Sequence, residues 1–317
     1  MTDEALSKDV LQQGKKLMQP AVRTDLMLYS LRGVRLSDRI ATLAMWAAGI
    51  VILGILVAFL SYMLVKGLPA LSYHFITGMP SDIRAGGGVG PQFFNSFYIL
   101  ALSMLFAIPI AVGAGIYLAE YAGNNRLTDL IRLSTESLAT VPSIVLGLFG
   151  MIIFVNTLGL GFSIIGGALT LMLLNIPVLV RVTEEAIRTV PDQYREASLA
   201  LGATKWQTIW RVILPNALPG IITGITLTAG RAMGETAILI FTAGTTVSRT
   251  VPDFSLTAAG ETLAVHMWYV MAVGLVPDRL DIANGIGALL IITILIFNLM
   301  FTIPAKMWQR KMTGSSH

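Results

Sequence analysis

Long apolar stretches without charge dominate the pattern along this chain. No Asp, Glu, Lys or Arg occurs in residues 40–65, 93–118 or 282–305, and residues 133–180 contain only Glu136. A helix needs about 20 apolar residues to cross about 30 Å of hydrocarbon. The pattern therefore predicts six transmembrane helices, near Ile40–Val65, Phe93–Leu118, Ile131–Val155, Phe162–Val180, Asn216–Ala243 and Asn284–Pro304.

The composition agrees with a membrane protein. The 317 residues are 55% apolar and only 13% charged, whereas soluble domains carry about 25% charged residues. A soluble globule of this size could not cover its surface with so few charges. We predict an all-α integral membrane protein whose first span, residues 40–65, follows a polar arm, residues 1–39. This span is too long, and begins too late, for a cleaved signal peptide.

The distribution of lysine and arginine predicts the orientation. Basic residues concentrate in the N-terminal arm, in residues 119–132 and 181–215, and in the tail, residues 306–317. By the positive-inside rule, these segments and both termini are cytoplasmic. The apolar stretch 258–276 could form a seventh span, but this would move the basic tail outside. We therefore prefer an interfacial or partly re-entrant helix there.

Residues 181–215 are predicted to be structured and not a linker. Pro191 and Gly202 mark the ends of a short helix over about 191–201. Thr204 and Gln207 then form the pattern of a capping box that begins a second helix. One face of this second helix is strongly apolar, with Trp206, Ile209, Trp210 and Ile213. The two helices can either dock on a soluble partner or pack beneath their own bundle.

Two charges interrupt the fifth predicted span, Arg231 and Glu235. On a continuous helix they belong to one polar stripe, together with Gly224, Thr228 and Thr242. One interpretation is a structural ion pair at i, i+4. The other is a substrate pathway, since intramembrane charge is a functional-site hypothesis and arginine suits an oxyanion.

The sequence gives little support for nucleotide binding, metal binding or catalysis. The pair Gly14-Lys15 has Asp9 where a nucleotide-binding P-loop needs its first glycine, and His266 is an isolated candidate ligand for a metal. Glu136 is explained by the dipole at a nearby helix start. The sequence therefore predicts no enzyme, no metal site and no catalytic residues, and it gives no indication of a nucleic-acid partner.

The 20 residues from Glu196-Ala197-Ser198 through Gly202 to Val212-Ile213-Leu214-Pro215 carry a resemblance. They resemble the EAA loop of permeases in binding-protein-dependent ABC importers, with Ser198 for alanine and Val212 for isoleucine. The resemblance implies a type I (MetI-like) core over residues 86–305, with cytoplasmic coupling helices at 184–215. It also implies contact with a separate ATPase subunit, through Glu196, Ala197, Gly202, Trp206 and Trp210.

A wider resemblance points to the phosphate-import branch and its PstA-type subunit. It is carried by Gly115–Tyr121, Thr140–Val145, Asn175–Arg181 and Arg231–Ala237. It implies that Arg231 and Arg181 serve phosphate passage, with Glu235 as the partner of Arg231 and Thr228 beside it. For Arg181, simple anchoring at the membrane surface is an equal alternative.

The resemblance also implies partners and location. The chain would sit in the bacterial inner membrane with a PstC-like second permease, two ATPase copies that bind ATP and Mg²⁺, and a periplasmic phosphate-binding protein. It would need no cofactor of its own, and its other contacts would be lipid and inorganic phosphate. From the residues alone, a stand-alone ion-coupled transporter or channel for an oxyanion stays open as an alternative, as does a non-transporting scaffold.

Overall fold

The computed structural model describes residues 21–81, 83–123, 125–247 and 251–313. Within these ranges the regular structure is entirely helical. Five helices are long and apolar enough to cross a membrane, and one bent helix pair is a sixth candidate. The predicted all-α membrane fold is therefore confirmed. The sixth candidate is the bent pair, and it occupies the position of the third predicted span.

The described helices are α1 (Ala21–Gly67), α2 (Tyr73–Thr77), α3 (Gly90–Ile116), α4 (Arg126–Thr140), α5 (Ser143–Gly150), α6 (Ile164–Arg188), α7 (Asp192–Ala200), α8 (Lys205–Thr208), α9 (Leu214–Met233), α10 (Ala237–Thr242), α11 (Leu263–Ala272) and α12 (Arg279–Thr313). π-Helical turns extend α3 to Tyr121 and α5 to Thr157. Another, Ile209–Ile213, joins α8 to α9.

The chain divides into two compact units, Met1–Ser61 and Tyr62–His317. In the first unit α1 begins at Ala21, so the second half of the predicted polar arm is helical and continuous with the first span. Residues 1–20 of that arm lie outside the described residues. From Leu36 onward, α1 carries exposed large apolar side chains such as Trp46 and Phe59, a surface that suits lipid.

The third predicted span, Ile131–Val155, is not one helix. α4 and α5 meet at an angle of 96°. The turn lies at Val141 and Pro142, because proline cannot donate an i to i−4 hydrogen bond and pushes the residue before it into extended backbone. Val141 has this conformation, with ψ 129°. The predicted span therefore corresponds to a bent helix pair. The size of the bend does not follow from hydropathy, because every residue from 137 to 155 is uncharged.

The fifth predicted span, Asn216–Ala243, also differs from the observed helices. The helix begins earlier, at Lys205, and runs without interruption to Met233. The π-helical turn before Pro215 lets the helix continue, since proline lacks the N–H that a regular turn requires. Gly234 then ends the helix, and the separate helix α10 follows. The expectation of a single helix carrying both Arg231 and Glu235 was therefore wrong.

The core of the second unit lies between α3, α6, α9 and α10, where Ile99, Leu171 and Leu239 are buried. α6 and α9 approach closely at Gly224, where an added Cβ would lie 2.0 Å from Val182 Cγ1. Gly220 and Gly230 likewise face Ala186 and Asn298 of the same chain. These small residues of α9 thus allow close packing within the chain.

The stretch 258–276 forms only the ten-residue helix α11. At 1.5 Å per residue its length is about 15 Å, half of the hydrocarbon thickness. It is therefore too short to span a membrane, as expected. Its buried face, with Leu263 and Val270, packs with Ile286 of α12 in a second core cluster.

Candidate functional site

The break between α9 and α10 contains the two intramembrane charges. Arg231 lies in the last turn of α9, and its carbonyl accepts a hydrogen bond from Gly234 N at 3.1 Å. Glu235 follows the helix end and is half-buried, with its backbone N–H bonded to the Ala232 carbonyl. The break places the two side chains on different local structures.

Arg231 and Glu235 make no ion pair in the part of the chain that the structure describes. Arg231 is exposed and has no carboxylate within salt-bridge distance there. The structural ion pair, one of the two interpretations of the sequence, is therefore not formed, because Gly234 ends the helical spacing that would bring the side chains together. Arg231 remains a cation whose donors are available to another group.

Thr228 and Thr242, which were predicted to share a polar stripe with Arg231, do not form a site with it. Thr228 is buried and donates its hydroxyl to the Gly224 carbonyl at 2.9 Å. Thr242 lies on α10 and bonds to the Ile238 carbonyl in the same way. Both hydroxyls are therefore occupied by their own helices, and Thr228 does not offer its donor to a substrate in this conformation.

Arg181, in contrast, is held by carboxylates. Its Nε donates to Glu185 Oε1 at 3.0 Å, and its Nη1 lies 3.4 Å from Glu136 Oε1. Glu136 is in the third turn of α4, well past the helix start at Arg126. The prediction that a helix dipole explains Glu136 was wrong, because α4 begins five residues earlier than the predicted span. Its partner is Arg181.

These groups belong to a larger charged cleft between α4 and α6, with a volume of 580 Å³. Glu184, only 12% exposed, accepts from Arg132 Nε at 3.0 Å and from Arg188 Nη2 at 2.9 Å. The cleft has three arginines and three glutamates, so its formal charge cancels: Arg132, Arg181, Arg188, Glu136, Glu184 and Glu185. It is an ion-pair network, and an anion entering it would have to displace carboxylates.

Residues 189–213, here called the paired-helix segment, follow the sequence prediction closely. α7 covers Asp192–Ala200 with Pro191 as its N-cap, and the capping box of Thr204 and Gln207 is present at the start of α8. Gly202 has φ +82°, in the left-handed region that favours glycine. The turn between the helices therefore depends on a residue without a Cβ. Residues 184–188, predicted with the coupling helices, belong instead to α6.

The apolar face formed by α8 and the π-helical turn after it points in two directions. Ile209 and Ile213 are buried against the bundle, whereas Trp206 and Trp210 are exposed and contact each other with ring centroids 5.4 Å apart. The expected single apolar stripe is divided because the π-helical turn changes the angle between successive residues. The inward residues of this face pack beneath the bundle, and the outward pair forms an exposed aromatic surface, while docking on a soluble partner stays a prediction. The carboxylate of Glu196 and the side chain of Ala197 on α7 are also exposed.

Sequence reasoning missed the attachment of this segment to the end of α3. Arg195 donates to Glu120 Oε1 at 2.9 and 2.7 Å through Nε and Nη2. Lys205 donates to the Glu120 carbonyl oxygen, and its amine lies 4.7 Å from the centre of the Tyr121 ring. The only available signal was the basic character of Arg195 and Lys205, since their partners are more than 70 residues away along the chain.

A buried polar cluster near the start of α3 was also missed. His266 Nδ1 lies 2.9 Å from Glu261 Oε2, and Gln92 Nε2 donates to the same oxygen at 2.9 Å. Glu261 and His266 are 2% and 5% exposed. Asn95 bonds to the Glu261 carbonyl, so the cluster ties α3 to α11. No group of three His, Asp or Glu suited to a metal occurs within the described ranges.

Comparison with known proteins places this architecture in a family. The family model "Binding-protein-dependent transport system inner membrane component" matches residues 111–314, more than half of the chain. The chain is 47% identical over 291 residues to the "Probable ABC transporter permease protein YqgI" of Bacillus subtilis, covering 89% of this chain and 99% of that one.

Proteins named for phosphate transport are also similar. The "Phosphate transport system permease protein PstA" of Xylella fastidiosa is 39% identical over 178 residues, which are 56% of this chain and 62% of that protein. "Phosphate transport system permease protein PstA 1" of Mycobacterium tuberculosis is 36% identical over 215 residues, 66% of this chain and 70% of that one.

Solved structures support the fold. A bacterial alginate ABC transporter matches with a TM-score of 0.59 and 16% identity, covering 86% of this chain and 96% of that one. The MetNI methionine ABC transporter matches with a TM-score of 0.55 and 19% identity, covering 70% and 94%. The chain belongs to the family of inner-membrane components of binding-protein-dependent transport systems, and it is an ABC importer permease subunit.

Proposed function

We propose that this chain is a permease subunit of an ATP-driven phosphate importer and forms half of its transmembrane pathway. The observation that carries the proposal is Arg231, an exposed cation in a membrane-spanning helix without a carboxylate partner in the described part of the chain. An unpaired guanidinium inside a membrane is costly. An anion that passes through the pathway would compensate that cost.

Phosphate fits Arg231 for chemical reasons. A guanidinium stays charged at every physiological pH and presents a planar set of donors that matches two oxygens of a tetrahedral oxyanion. The similarity to proteins named PstA supports phosphate over other oxyanions. Glu235, which is near in sequence and has no ion-pair partner among the described residues, would repel an anion and favour its release.

Arg181 has a different role in this proposal. Its Nε and Nη1 are engaged by Glu185 and Glu136, so phosphate would compete with two carboxylates for it in the present conformation. We propose that it acts at a later stage of passage, when α4 and α6 separate and the pairing with Glu136 is broken. Arg231 is then the first of the two arginines to meet the anion.

The paired-helix segment would connect the chain to its energy source. Its exposed side chains include Trp206, Trp210 and Glu196, and a projecting helix pair with an aromatic surface fits a groove on a soluble protein. We propose two copies of an ATPase subunit as the partner, with ATP and Mg²⁺ bound there. A PstC-like permease would supply the other half of the pathway, and a periplasmic binding protein would deliver phosphate.

The orientation of the chain follows from its basic residues. The paired-helix segment, the α3–α4 connection and both termini would be cytoplasmic, which puts the segment on the side where ATP is available. The break after Met233 and the α11 region would then face the periplasmic half. ATPase closure would move the segment and alternate the access of the pathway between the two sides of the membrane.

Reconstitution of the complete complex tests the proposal. Proteoliposomes would contain this chain, the second permease, the ATPase and the binding protein, and each of phosphate, sulfate and an alkyl phosphonate would be supplied in turn. Phosphate is expected to stimulate ATP hydrolysis and uptake most strongly. Stronger stimulation by another oxyanion would contradict phosphate as the substrate. Uptake by this chain without an ATPase, driven by a proton gradient, would contradict the ATP-driven mechanism.

A further inference from the structure

Arg195 on α7 uses all five of its guanidinium N–H donors. Nε and one Nη2 proton bond to Glu120 Oε1, and the second Nη2 proton bonds to the Ile187 carbonyl at 3.0 Å. The two Nη1 protons bond to the Val190 carbonyl at 2.7 Å and to Asp192 Oδ1 at 3.1 Å. A planar guanidinium with all its N–H groups bonded is constrained in both orientation and position. The Arg195 side chain is therefore held in one place by its partners.

These bonds join α7 both to the preceding helix α6 and to α3, which is distant in sequence. Ile187 belongs to the last turn of α6, Val190 to the turn that follows it, Arg195 to α7, and Glu120 to the π-helical turn that ends α3. The pair is sheltered, with 20% of the Arg195 side chain and 8% of the Glu120 side chain exposed. Solvent therefore screens the attraction between Arg195 and Glu120 less than it would screen a surface ion pair.

α8 is attached to the same turn. Lys205 bonds to the Glu120 carbonyl oxygen and lies over the Tyr121 ring. α7 and α8 are also connected to each other, because Ser198 Oγ lies 2.9 Å from Thr208 Oγ1. Both helices of the paired-helix segment are thus held on one turn of α3, whereas Trp206 and Trp210 face outward.

The covalent connection alone would not bring α3 into motion with this segment. The backbone joins α7 to α6 through the three residues Thr189–Pro191, around which α7 could swivel, and α8 continues through the π-helical turn into α9. α3 has no direct chain connection to α7, because Glu120 and Arg195 are 75 residues apart. Among the described contacts, the Arg195 fork and Lys205 are the polar ones that connect the segment to α3.

We propose that Glu120 and Arg195 form a rigid joint that carries a displacement of the paired-helix segment to α3 as well as α6. The inference rests on the proposed function, in which that segment docks on the ATPase. Both are positioning residues, since neither needs to touch phosphate or ATP. The joint adds α3 to the core helices that move with the segment, so that ATPase closure reshapes the pathway and is not absorbed by a swivel of α7.

The first test compares Glu120→Gln and Arg195→Gln with the wild-type complex in proteoliposomes. The readouts are ATPase co-purification, ATP hydrolysis and phosphate taken up per ATP. Both variants are expected to assemble and hydrolyse ATP, while uptake per ATP falls by about fivefold or more, the lower range of typical coupling between sites. The double variant should fall no further than the singles, because the two side chains act as one unit.

Arg126→Gln is the matched control, since Arg126 is an exposed arginine at the start of α4. It should leave uptake per ATP unchanged. Unchanged uptake per ATP in both joint variants would overturn the inference, and so would loss of ATPase binding as their only effect, since the pair would then serve only the shape of the docking segment. A wild-type complex without ATP-driven uptake would refute the proposed function, and the joint with it.

The second test does not depend on the stability of the single variants. The chain has no cysteine, so Glu120→Cys with Arg195→Cys introduces a unique pair that a short bismaleimide can connect. Before cross-linking, this variant is expected to show the same loss of uptake per ATP. A rigid joint predicts that cross-linking restores it. Complete cross-linking without restoration, or with a further loss, would contradict the joint and indicate that α3 and α7 must separate during transport.

Discussion

Arg231 and Glu235 are four residues apart, yet they lie on opposite sides of a helix end and form no ion pair among the described residues. Gly234, which terminates α9, separates them. A helix that continued through this point would have paired and neutralised the two charges. The break instead leaves a guanidinium available inside a membrane-spanning protein.

Replacement of Arg231 should therefore affect transport without unfolding the protein. Arg231→Gln is expected to lower ATP-driven phosphate uptake by about tenfold or more, because a hydrogen bond to a charged group contributes about 1.5–3 kcal/mol. The thermal midpoint should stay near that of the wild type, since no described ion pair is broken. Uptake in proteoliposomes and thermal unfolding in detergent measure the two effects. Wild-type uptake in this variant would remove Arg231 from the pathway.

Gly202 should be intolerant of a side chain. Its φ of +82° costs a residue with a Cβ about 1–2 kcal/mol, so Gly202→Ala should loosen the turn between α7 and α8. We expect weaker binding of the ATPase, measured by co-purification or surface-based affinity. Gly113→Ala is the control, since Gly113 lies within α3 and an added Cβ there meets nothing within 4 Å. Equal ATPase binding by the two variants would contradict the prediction.

At the contact between α6 and α9, a larger residue at Gly224 should be compensated by a smaller residue at Val182. Gly224→Ala places a methyl group 2.0 Å from Val182 Cγ1, and overpacking of this kind costs about 1–3 kcal/mol. Adding Val182→Ala should recover most of the lost stability, as seen in the free energy of unfolding in mixed micelles. Gly113→Ala is the control, since an added Cβ there meets nothing within 4 Å. A double variant no more stable than Gly224→Ala would show that the two residues do not clash.

The buried cluster of Glu261, His266 and Gln92 should be structural. Glu261→Ala removes the oxygen that faces both His266 and Gln92, and leaving buried polar groups unsatisfied costs about 1–3 kcal/mol. We expect a lower thermal midpoint and faster hydrogen exchange in α11. Glu235→Ala, which breaks no described ion pair, should change the midpoint little. Similar midpoints for the two variants would show that the Glu261 contacts contribute no net stability.

The paired-helix segment could be predicted from sequence because its signals are local. Proline before an acidic residue, glycine after a helix and a capping box each act over a few residues, and the structure has all three features at α7 and α8. The EAA-like spacing uses the same residues. The attachment through Arg195 and Glu120 could not be predicted in this way, because nothing along the chain indicates which carboxylate an arginine will meet.

The transmembrane helices also combine features that local sequence predicts with features that it does not. Long uncharged stretches determine that helices cross a membrane, since unsatisfied backbone groups are costly in hydrocarbon. They do not determine where a helix turns, so neither the 96° angle at Pro142 nor the helix end at Gly234 follows from them. The placement of Glu136 opposite Arg181 depends on that bend, and so does the charged cleft as a whole.

The sequence by itself determined the membrane location, the all-α class, the paired-helix segment and the identity of the scarce charges. Hydrophobicity, capping and turn propensity act between near neighbours and can be inferred from one chain. Only the tertiary structure decided which charges are paired: Arg181 is held by Glu185 and Glu136, Arg195 by Glu120, and Arg231 by no described carboxylate. Pairing depends on distances between residues far apart in the chain, and these are set by how the helices bend and pack.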